Sequence, residues 1–266
     1  LAAAYGHLAC MQLLIHANAD IEAKHSQNGY NALILAARYD RTACGQVLLD
    51  TKADVNAQGL KGISALMLAA GNGHAAFAHR LINAKADIDA KDDSGSTVLM
   101  LASANGFAAC VMLLINANVE VEATDQNGWT ALMWATQNGH EKCLQVLIRA
   151  KANINAKNPK NDRTALILAA RFGHKACAQL LLNANACVNA HDIGGYTALL
   201  WSAQFGYAAL AQLLIDSRAD IQARKKDGAT ALMLASEYGQ AAYTKVLVDA
   251  KADIDVKDES GRTALM

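Results

Sequence analysis

The chain has 266 residues, of which 53% are hydrophobic, and its 24 acidic side chains balance its 24 basic ones. This composition excludes an intrinsically disordered chain, which would combine low hydrophobicity with high net charge. A neutral chain also lacks the basic surplus that binding to nucleic acid or to an anionic membrane normally requires, so we expect neither as a partner.

A short phrase of Asn, Ser or Thr followed by Ala-Leu or Val-Leu recurs along the chain. Its first residues are Asn31, Ser64, Thr97, Thr130, Thr164, Thr197, Thr230 and Thr263. Successive phrases are 33 residues apart, except for a step of 34 between Thr130 and Thr164, and such a period indicates stacked repeats. The extra residue falls in the segment 158–162, where the single proline, Pro159, predicts a loop.

Each period predicts two short helices followed by a polar turn. In residues 130–139, Thr130 can cap a helix that has small and apolar residues on one face, and Gly139 ends it. Residues 140–150 place leucines at spacings of three and four, which indicates a second amphipathic helix. The following segment, 151–162, is polar and rich in turn residues, so it leads to the next pair of helices.

These motifs resemble those of ankyrin-repeat proteins over the whole chain. The resemblance lies in the 33-residue period, in Ala-Ala at 69–70 and 169–170, in Gly-His at 73–74, 139–140 and 173–174, and in Ala-Asp-Ile-Asp-Ala at 86–90. It implies an all-α ankyrin-repeat solenoid, in which helix-turn-helix pairs joined by hairpin loops stack into a curved superhelix. A membrane span over the uncharged stretch 193–215 is not expected, since three glycines and two glutamines interrupt it.

The repeats predict a single array over residues 1–266. It comprises a partial repeat at 1–24, seven full repeats at about 25–257 and a partial repeat at 258–266. Leu1 falls inside a first helix and Met266 within the first turn of another, so neither end has a polar capping repeat. Because solenoids need such caps for solubility, we expect a segment of a longer protein, or end-to-end contacts through the terminal repeats.

The glycine that ends the second helix in the resembled family is replaced here in every repeat. The replacements are Asn18, Lys52, Lys85, Asn118, Lys151, Asn185, Arg218 and Lys251. Lys and Arg adopt a left-handed backbone less readily than Gly or Asn, so the helix ends that carry them are predicted to close differently.

Five of the six cysteines occupy equivalent positions in successive repeats, a set of positions that we call a column. Cys10, Cys44, Cys110, Cys143 and Cys177 alternate there with Phe77, Leu210 and Tyr243, which is typical of apolar packing. Neighbouring repeats stand about 8–10 Å apart, too far for a disulfide or a shared zinc ion. Cys187 lies in a polar hairpin and is expected to be exposed. Unpaired thiols favour the cytoplasm or another reducing compartment.

No motif for catalysis or cofactor binding is present. The chain has no HExxH, nucleophile elbow or phosphate-binding glycine loop. The segment 87–95 comes closest to a calcium loop, but it lacks the glycine and the distal Glu of an EF-hand. We therefore predict no enzymatic activity, no cofactor and no metal.

The exposed positions must then carry the function, and the resemblance implies a protein or peptide partner on a concave face and at the hairpin tips. Eight of the 14 aromatic residues share two columns, one just before the glycine that ends the first helix and one in the hairpin. The pre-glycine column holds Tyr5, Tyr39, Phe172, Phe205 and Tyr238, and the hairpin column holds Tyr30, Trp129 and Tyr196. Aromatic residues of this kind are enriched at binding hot spots.

The pre-glycine column continues with Asn72, Asn105 and Asn138 in the central repeats. Their amides could bind the main chain of an extended peptide as a ladder between the aromatic ends. The predicted partner-binding set is Tyr30, Arg38, Tyr39, Asn72, Asn105, Trp129, Asn138, Arg163, Arg171, Phe172, Tyr196, Phe205 and Tyr238. The alternative is that these aromatic residues pack against the next repeat and that the asparagines cap helices.

Two other functions stay open from the sequence. The array could be the substrate-recruiting arm of a larger enzyme, such as a kinase or a ubiquitin ligase. It could also be a substrate of asparaginyl hydroxylation, since Asn56, Asn155 and Asn189 follow Val or Ile in the hairpin and have a leucine eight residues before them.

Overall fold

The structure, a computed structural model, describes residues 1–266 and consists of sixteen short α-helices. The first helices of the repeats are α1 (Ala2–Tyr5), α3 (Ala32–Arg38), α5 (Ala65–Gly71), α7 (Val98–Ala104), α9 (Ala131–Gln137), α11 (Ala165–Phe172), α13 (Ala198–Phe205) and α15 (Ala231–Glu237). The second helices are α2 (Leu8–His16), α4 (Thr42–Asp50), α6 (Ala75–Asn83), α8 (Ala108–Asn116), α10 (Glu141–Arg149), α12 (Lys175–Asn183), α14 (Ala208–Asp216) and α16 (Ala241–Asp249). The predicted pairs of short helices are confirmed, and no helix has the length and apolar character needed to span a bilayer.

The chain divides into two compact units, residues 1–131 and residues 132–266. In the first unit, α1, α3, α5 and α7 pack side by side, and α2, α4, α6 and α8 form a second layer. In the second unit, α11, α13 and α15 form one layer, and α10, α12, α14 and α16 form the other. Each repeat therefore buries its apolar surface against the equivalent helices of its neighbours.

Polar side chains cap the first helices, as the recurring phrase predicts. The Asn31 side chain accepts a hydrogen bond from the Ile34 N–H at 3.0 Å, and the Ser64 hydroxyl accepts one from the Met67 N–H at 3.2 Å. Equivalent bonds form at Thr97, Thr164, Thr197 and Thr230. Each bond satisfies a backbone donor that the first turn of a helix leaves unpaired.

The prediction that Lys and Arg close the second helices differently from Asn is wrong. All eight replacements of the family glycine have a left-handed backbone, with φ from 60 to 67°. At the end of α6, the Lys85 N–H donates to the Ile82 carbonyl at 3.0 Å and the Ala86 N–H to the Leu81 carbonyl at 2.9 Å. These bonds pair the last carbonyls of the helix, so the turn is retained although a side chain is strained in it.

We expect Lys85→Gly to raise the free energy of unfolding by about 0.5–1 kcal/mol. The left-handed backbone costs a side-chain-bearing residue about 1–2 kcal/mol, and the greater freedom of glycine in the unfolded chain returns part of that gain. Urea denaturation followed by circular dichroism measures the change. The matched control is Ala84→Gly at the preceding residue, whose φ is −79° and where glycine should cost about 1 kcal/mol. Destabilisation by both substitutions would contradict the argument.

The cysteine column lies in the core between the second helices. Cys44, Phe77, Cys110, Cys143, Cys177, Leu210 and Tyr243 are all buried, which confirms apolar packing at these seven positions. Cys10 differs because its face of α2 is exposed, and Cys187 is exposed as predicted. All six cysteines are free thiols.

A residue of the cysteine column faces a residue on the second helix of the preceding repeat. In two places one residue of such a pair is large and the other is small. Gly45 in α4 lies against the Phe77 ring, and a Cβ atom added to Gly45 would stand 2.6 Å from Phe77 Cε2. In the second unit, where α10 packs on α12, Leu144 precedes Cys177 by one repeat. At these two junctions a large residue on one helix is accompanied by a small residue on the next, which maintains close packing, whereas both equivalent residues between α6 and α8, Ala78 and Cys110, are small.

We expect a thiol reagent at pH 8 to modify two of the six cysteines of the native protein quickly, namely Cys10 and Cys187. Burial raises the pKa of Cys110 and of Cys177 to about 11, so neither supplies the thiolate that reacts. Titration with 5,5′-dithiobis(2-nitrobenzoate), with and without urea, counts the accessible thiols. Serine substitutions at Cys10 and Cys187 should abolish the fast phase, and a fast phase that persists in them would refute the assignment.

The hairpin tips connect neighbouring repeats through backbone hydrogen bonds. In the first unit, the Asp93 N–H donates to the Lys61 carbonyl at 3.0 Å, and in the second unit the Ile193 N–H donates to the Asn161 carbonyl at 3.0 Å. In the segment 87–95, one oxygen of Asp92 accepts the backbone N–H groups of Ser94 and Ser96. This aspartate shapes the hairpin turn.

Candidate functional site

The aromatic residues of the pre-glycine column are exposed on both units. Tyr5, Tyr39, Phe172, Phe205 and Tyr238 have between 41 and 65% of their surface accessible. In each unit these rings lie partly exposed at the ends of the first helices, so part of each ring is free to contact a partner.

An aromatic cluster of this surface surrounds Trp201 in α13. The Tyr196 ring stacks on the indole with centroids 4.5 Å apart, and the Phe205 ring lies 6.2 Å away and nearly parallel. Phe205 in turn stacks on Tyr207 at 6.1 Å. Trp201 itself is only 9% exposed, so it forms the floor on which the exposed rings rest. We call this group the Trp201 cluster.

Three cations contact the rings of the Trp201 cluster. The guanidinium carbons of Arg163 and Arg171 lie 5.0 and 4.7 Å from the centroid of the indole. Arg171 also lies 5.6 Å from the Phe172 ring, and Lys225 Nζ lies 5.6 Å from the Tyr196 ring. Such distances allow cation–π attraction, which orients the side chains over the aromatic faces.

A buried aspartate organises the cluster from below. Asp192 is 3% exposed, and its Oδ1 accepts the backbone N–H groups of Gly194 at 2.8 Å and Tyr196 at 3.0 Å. Its Oδ2 accepts from Trp201 Nε1 at 3.1 Å and from Arg163 Nε at 3.4 Å. One carboxylate therefore fixes the hairpin, the indole and one arginine, and it pairs with the charge of Arg163.

The other two cations differ in whether an acid pairs with them. Lys225 forms an ion pair with Asp227, and the hydrogen bond that Lys225 donates within this pair lowers the pKa of the Asp227 carboxyl. The Arg171 guanidinium makes no hydrogen bond and no ion pair, and it lies half-buried between Trp201 and Phe172. Burial, and secondarily the charge of Arg163, lower the pKa of Arg171. The charge of Asp192 acts in the opposite direction, so Arg171 is a partly buried cation to which no carboxylate bonds directly.

In the first unit a smaller cluster surrounds Arg38. Its guanidinium carbon lies 5.5 Å from the Tyr39 ring and 6.0 Å from the Tyr30 ring. Tyr30 also packs on the next hairpin, since a Cβ atom added to Gly59 would stand 2.7 Å from Tyr30 Cε1. Tyr30 and Tyr39 line a cavity of about 730 Å³. Tyr30 therefore has a packing role besides any role in binding.

The asparagines of the pre-glycine column bond to the preceding repeat. Asn72 Nδ2 donates to the Arg38 carbonyl at 3.3 Å, and Asn105 Nδ2 donates to the Gly71 carbonyl at 3.0 Å. Asn138 is exposed, like the other two. In the first unit these amides thus cap the preceding first helix, as in the alternative interpretation.

The predicted set also includes Trp129, which is half-buried beside the hairpin turn of Asp125. The Trp129 N–H donates to Asp125 Oδ1 at 3.0 Å. In the second unit the structure brings together Arg163, Arg171, Phe172, Tyr196 and Phe205, and the Gln204 amide donates to the Tyr238 hydroxyl of the next repeat at 3.4 Å. Five of the predicted residues of this unit therefore form a local group around Trp201.

Sequence reasoning missed Trp201, Asp192 and Lys225, which complete this group. One signal was available, because Trp134 and Trp201 replace a leucine that the other complete repeats carry at this position. Asp192 gave no such signal, since aspartate or asparagine is common at its hairpin position. Only the fold shows that its second oxygen reaches the indole and Arg163.

The three candidate hydroxylation sites take part in hydrogen bonds between repeats. The side-chain oxygens of Asn56, Asn155 and Asn189 accept the backbone N–H of Asp87, Cys187 and Asp220, each at 2.8 Å. Asp89 accepts the Glu120 N–H in the same way at 2.8 Å. An acceptor oxygen between repeats therefore accounts for these positions structurally. No three His, Cys, Asp or Glu side chains are arranged to hold a metal.

Comparisons with known proteins agree with the helix pairs described above. The sequence profile of a family described as "Ankyrin repeats (3 copies)" matches residues 1–92, 66–158, 151–225 and 206–266. The crystal structure of the human ASB11 ankyrin repeat domain is similar, with a TM-score of 0.75 and 26% identity over 82% of this chain and 97% of that chain. The ankyrin repeat domain of Bcl-3, a member of the IkappaB protein family, has a TM-score of 0.70 and 28% identity over 77% and 94%. No curated protein sequence matches this chain.

Proposed function

Since the chain belongs to the ankyrin-repeat family, we propose that it binds an extended segment of a partner protein along the exposed ends of its first helices and its hairpins. Ankyrin repeats are generally protein–protein interaction modules and typically lack catalysis. The proposal assigns the partner to the Trp201 cluster and the exposed rings beside it, and it includes no reaction.

The observation that carries the proposal is the exposure of Phe172, Phe205 and Tyr238 in three successive repeats. Soluble proteins usually cover large apolar side chains, and aligned exposed rings indicate an interaction surface. The rings rest on a rigid floor, because Asp192 and Trp201 are buried and hydrogen-bonded. A partner would therefore meet a preorganised surface and would lose little binding energy to ordering it.

The proposal is tested by selecting peptides from a displayed library of random twelve-residue sequences on the immobilised protein. A triple variant with alanine at Phe172, Phe205 and Tyr238 should lose binding of the selected peptides by at least about 100-fold, since truncating one hot-spot ring often costs about 2 kcal/mol or more and the costs of neighbouring rings do not simply add. The same variant should unfold at nearly the wild-type temperature, because its rings are exposed.

The matched control is Val248→Ala, which removes a comparably exposed apolar side chain from α16 in the second layer. It should leave peptide binding unchanged. A triple variant that binds the peptides as tightly as the wild type, or a selection that yields no binding peptides, would overturn the proposed surface.

A further inference from the structure

The strongest unexplained feature of the molecule is the Arg171 side chain. Its guanidinium group has five N–H donors, yet it makes no hydrogen bond and no ion pair. Stacking on Trp201 at 4.7 Å and on Phe172 at 5.6 Å holds it in place. The two rings hold this cation in one orientation, but no acid bonds to it. It has therefore lost part of its hydration without gaining a hydrogen-bonded anion, which is unfavourable in the free protein.

No acid of the second unit forms a hydrogen bond or an ion pair with Arg171, although the charge of Asp192 opposes the lowering of its pKa. The nearest buried carboxylate, Asp192, already accepts four hydrogen bonds, including one from Arg163. Asp227 pairs with Lys225. Of the three cations, Arg171 is therefore the one to which no carboxylate bonds directly.

We propose that Arg171 binds the carboxylate of a single Asp or Glu side chain in the partner's extended segment, with an apolar neighbour of that residue on Phe172 or Phe205. This inference rests on the proposed function and specifies the chemistry of its ligand. The guanidinium fork matches a carboxylate in a bidentate arrangement, and the stacked rings fix its plane. One cation without a directly bonded acid suits a monoanion, whereas a phosphate dianion would need a second free cation.

The charges along the first helices also limit how acidic the partner can be. The column of Arg171 continues with Gln204 and ends at Glu237, two repeats away. Glu237 is exposed and makes no ion pair. A uniformly acidic segment would gain energy at Arg171 and lose it at Glu237. The surface thus selects an acid at one position, followed by neutral or basic residues towards Glu237.

The inference is tested by repeating the peptide selection with Arg171→Glu. The wild type should enrich peptides that carry one Asp or Glu beside an aromatic or large apolar residue, and Arg171→Glu should enrich Lys or Arg at that position instead. The matched control is Arg149→Glu, an exposed charge reversal on α10 in the second layer, which should leave the selected peptides unchanged. Circular dichroism checks that both variants fold, and the neutral variant Arg171→Gln serves if Arg171→Glu does not.

A synthetic copy of one wild-type peptide then gives the pairwise interaction. Replacing its acid by the amide should weaken binding to the wild type by at least about tenfold, but leave binding to Arg171→Gln nearly unchanged. Peptides that lack an enriched acid, yet still lose affinity in the triple variant at Phe172, Phe205 and Tyr238, would overturn the inference and leave the proposed function standing. A selection without any binding peptide would overturn both. Tighter binding of a phosphoserine peptide than of the Asp peptide would assign the site to phosphate instead.

Discussion

Gly45→Leu is expected to lower the free energy of unfolding by about 3 kcal/mol, and Phe77→Cys in the same chain is expected to restore most of that loss. The Gly45 position has no room for a side chain while the Phe77 ring occupies the space. Overpacking of this kind usually costs about 1–3 kcal/mol, and leucine adds four carbon atoms at a place where the first one already overlaps.

Phe77→Cys restores stability because it removes the ring that occupies the space of the new leucine side chain on α4. Phe77→Cys alone should also cost about 3 kcal/mol, since it leaves a cavity in a fully buried column. Together the two changes reproduce the leucine and cysteine that the chain itself carries at Leu144 and Cys177. The double variant should therefore lie within about 1 kcal/mol of the wild type, far from the sum of the single effects.

Urea denaturation of the four proteins gives the interaction energy. The control pairs Gly45→Leu with Cys110→Ala, a buried column member one repeat beyond Phe77, where the two effects should simply add. If the effects of Gly45→Leu and Phe77→Cys were equally additive, the size compensation between α4 and α6 would be refuted.

Asp192→Ala should lower the free energy of unfolding by about 3–4 kcal/mol. Removing the carboxylate leaves two backbone N–H groups, the indole N–H and the Arg163 guanidinium without their acceptor in a buried place. Loss of one partner from a buried, hydrogen-bonded charge pair typically costs 3–5 kcal/mol. The indole should also lose its fixed position, so binding of the selected peptides should fall together with stability.

Two substitutions separate the contributions of the Asp192 oxygens. Asp192→Asn keeps one acceptor for the hairpin and should cost about 1–2 kcal/mol. The matched control, Asp92→Ala, removes the equivalent hairpin aspartate of the first unit, which has no indole or arginine on its second oxygen. It should also cost about 1–2 kcal/mol. Equal losses for Asp192→Ala and Asp92→Ala would show that the bonds to Trp201 and Arg163 contribute nothing.

The sequence predicts the parts of this fold that depend on local pattern. Thr97 and its equivalents cap first helices because a hydroxyl just before a helix can accept from the unpaired N–H groups of its first turn. Cys110 is buried because its column is a column of apolar packing. Lys85 shows the limit of local propensity. Its preference for negative φ is outweighed by the two backbone hydrogen bonds that close α6.

The parts that the sequence does not predict depend on contacts between repeats. Tyr243 looks like another apolar column member, but its hydroxyl donates to the Leu199 carbonyl at 2.7 Å and pairs with Ser202. Arg171 and Trp201 are 30 residues apart and meet only because α11 and α13 are neighbours. Periodicity indicates which positions are exposed, whereas the choice of rotamers decides which exposed side chains touch.

The size compensation in the cysteine column also bears on how such a chain can change in length. If the repeat that carries Phe77 were removed as one 33-residue block, Gly45 would face Cys110, and two small residues would leave a void between the joined helices. Repeats that share one backbone are therefore not interchangeable. At a junction such as that of Gly45 and Phe77, the volume that one repeat presents to the next constrains their order, so loss of the Phe77 repeat has to be followed by a matching substitution at the new junction.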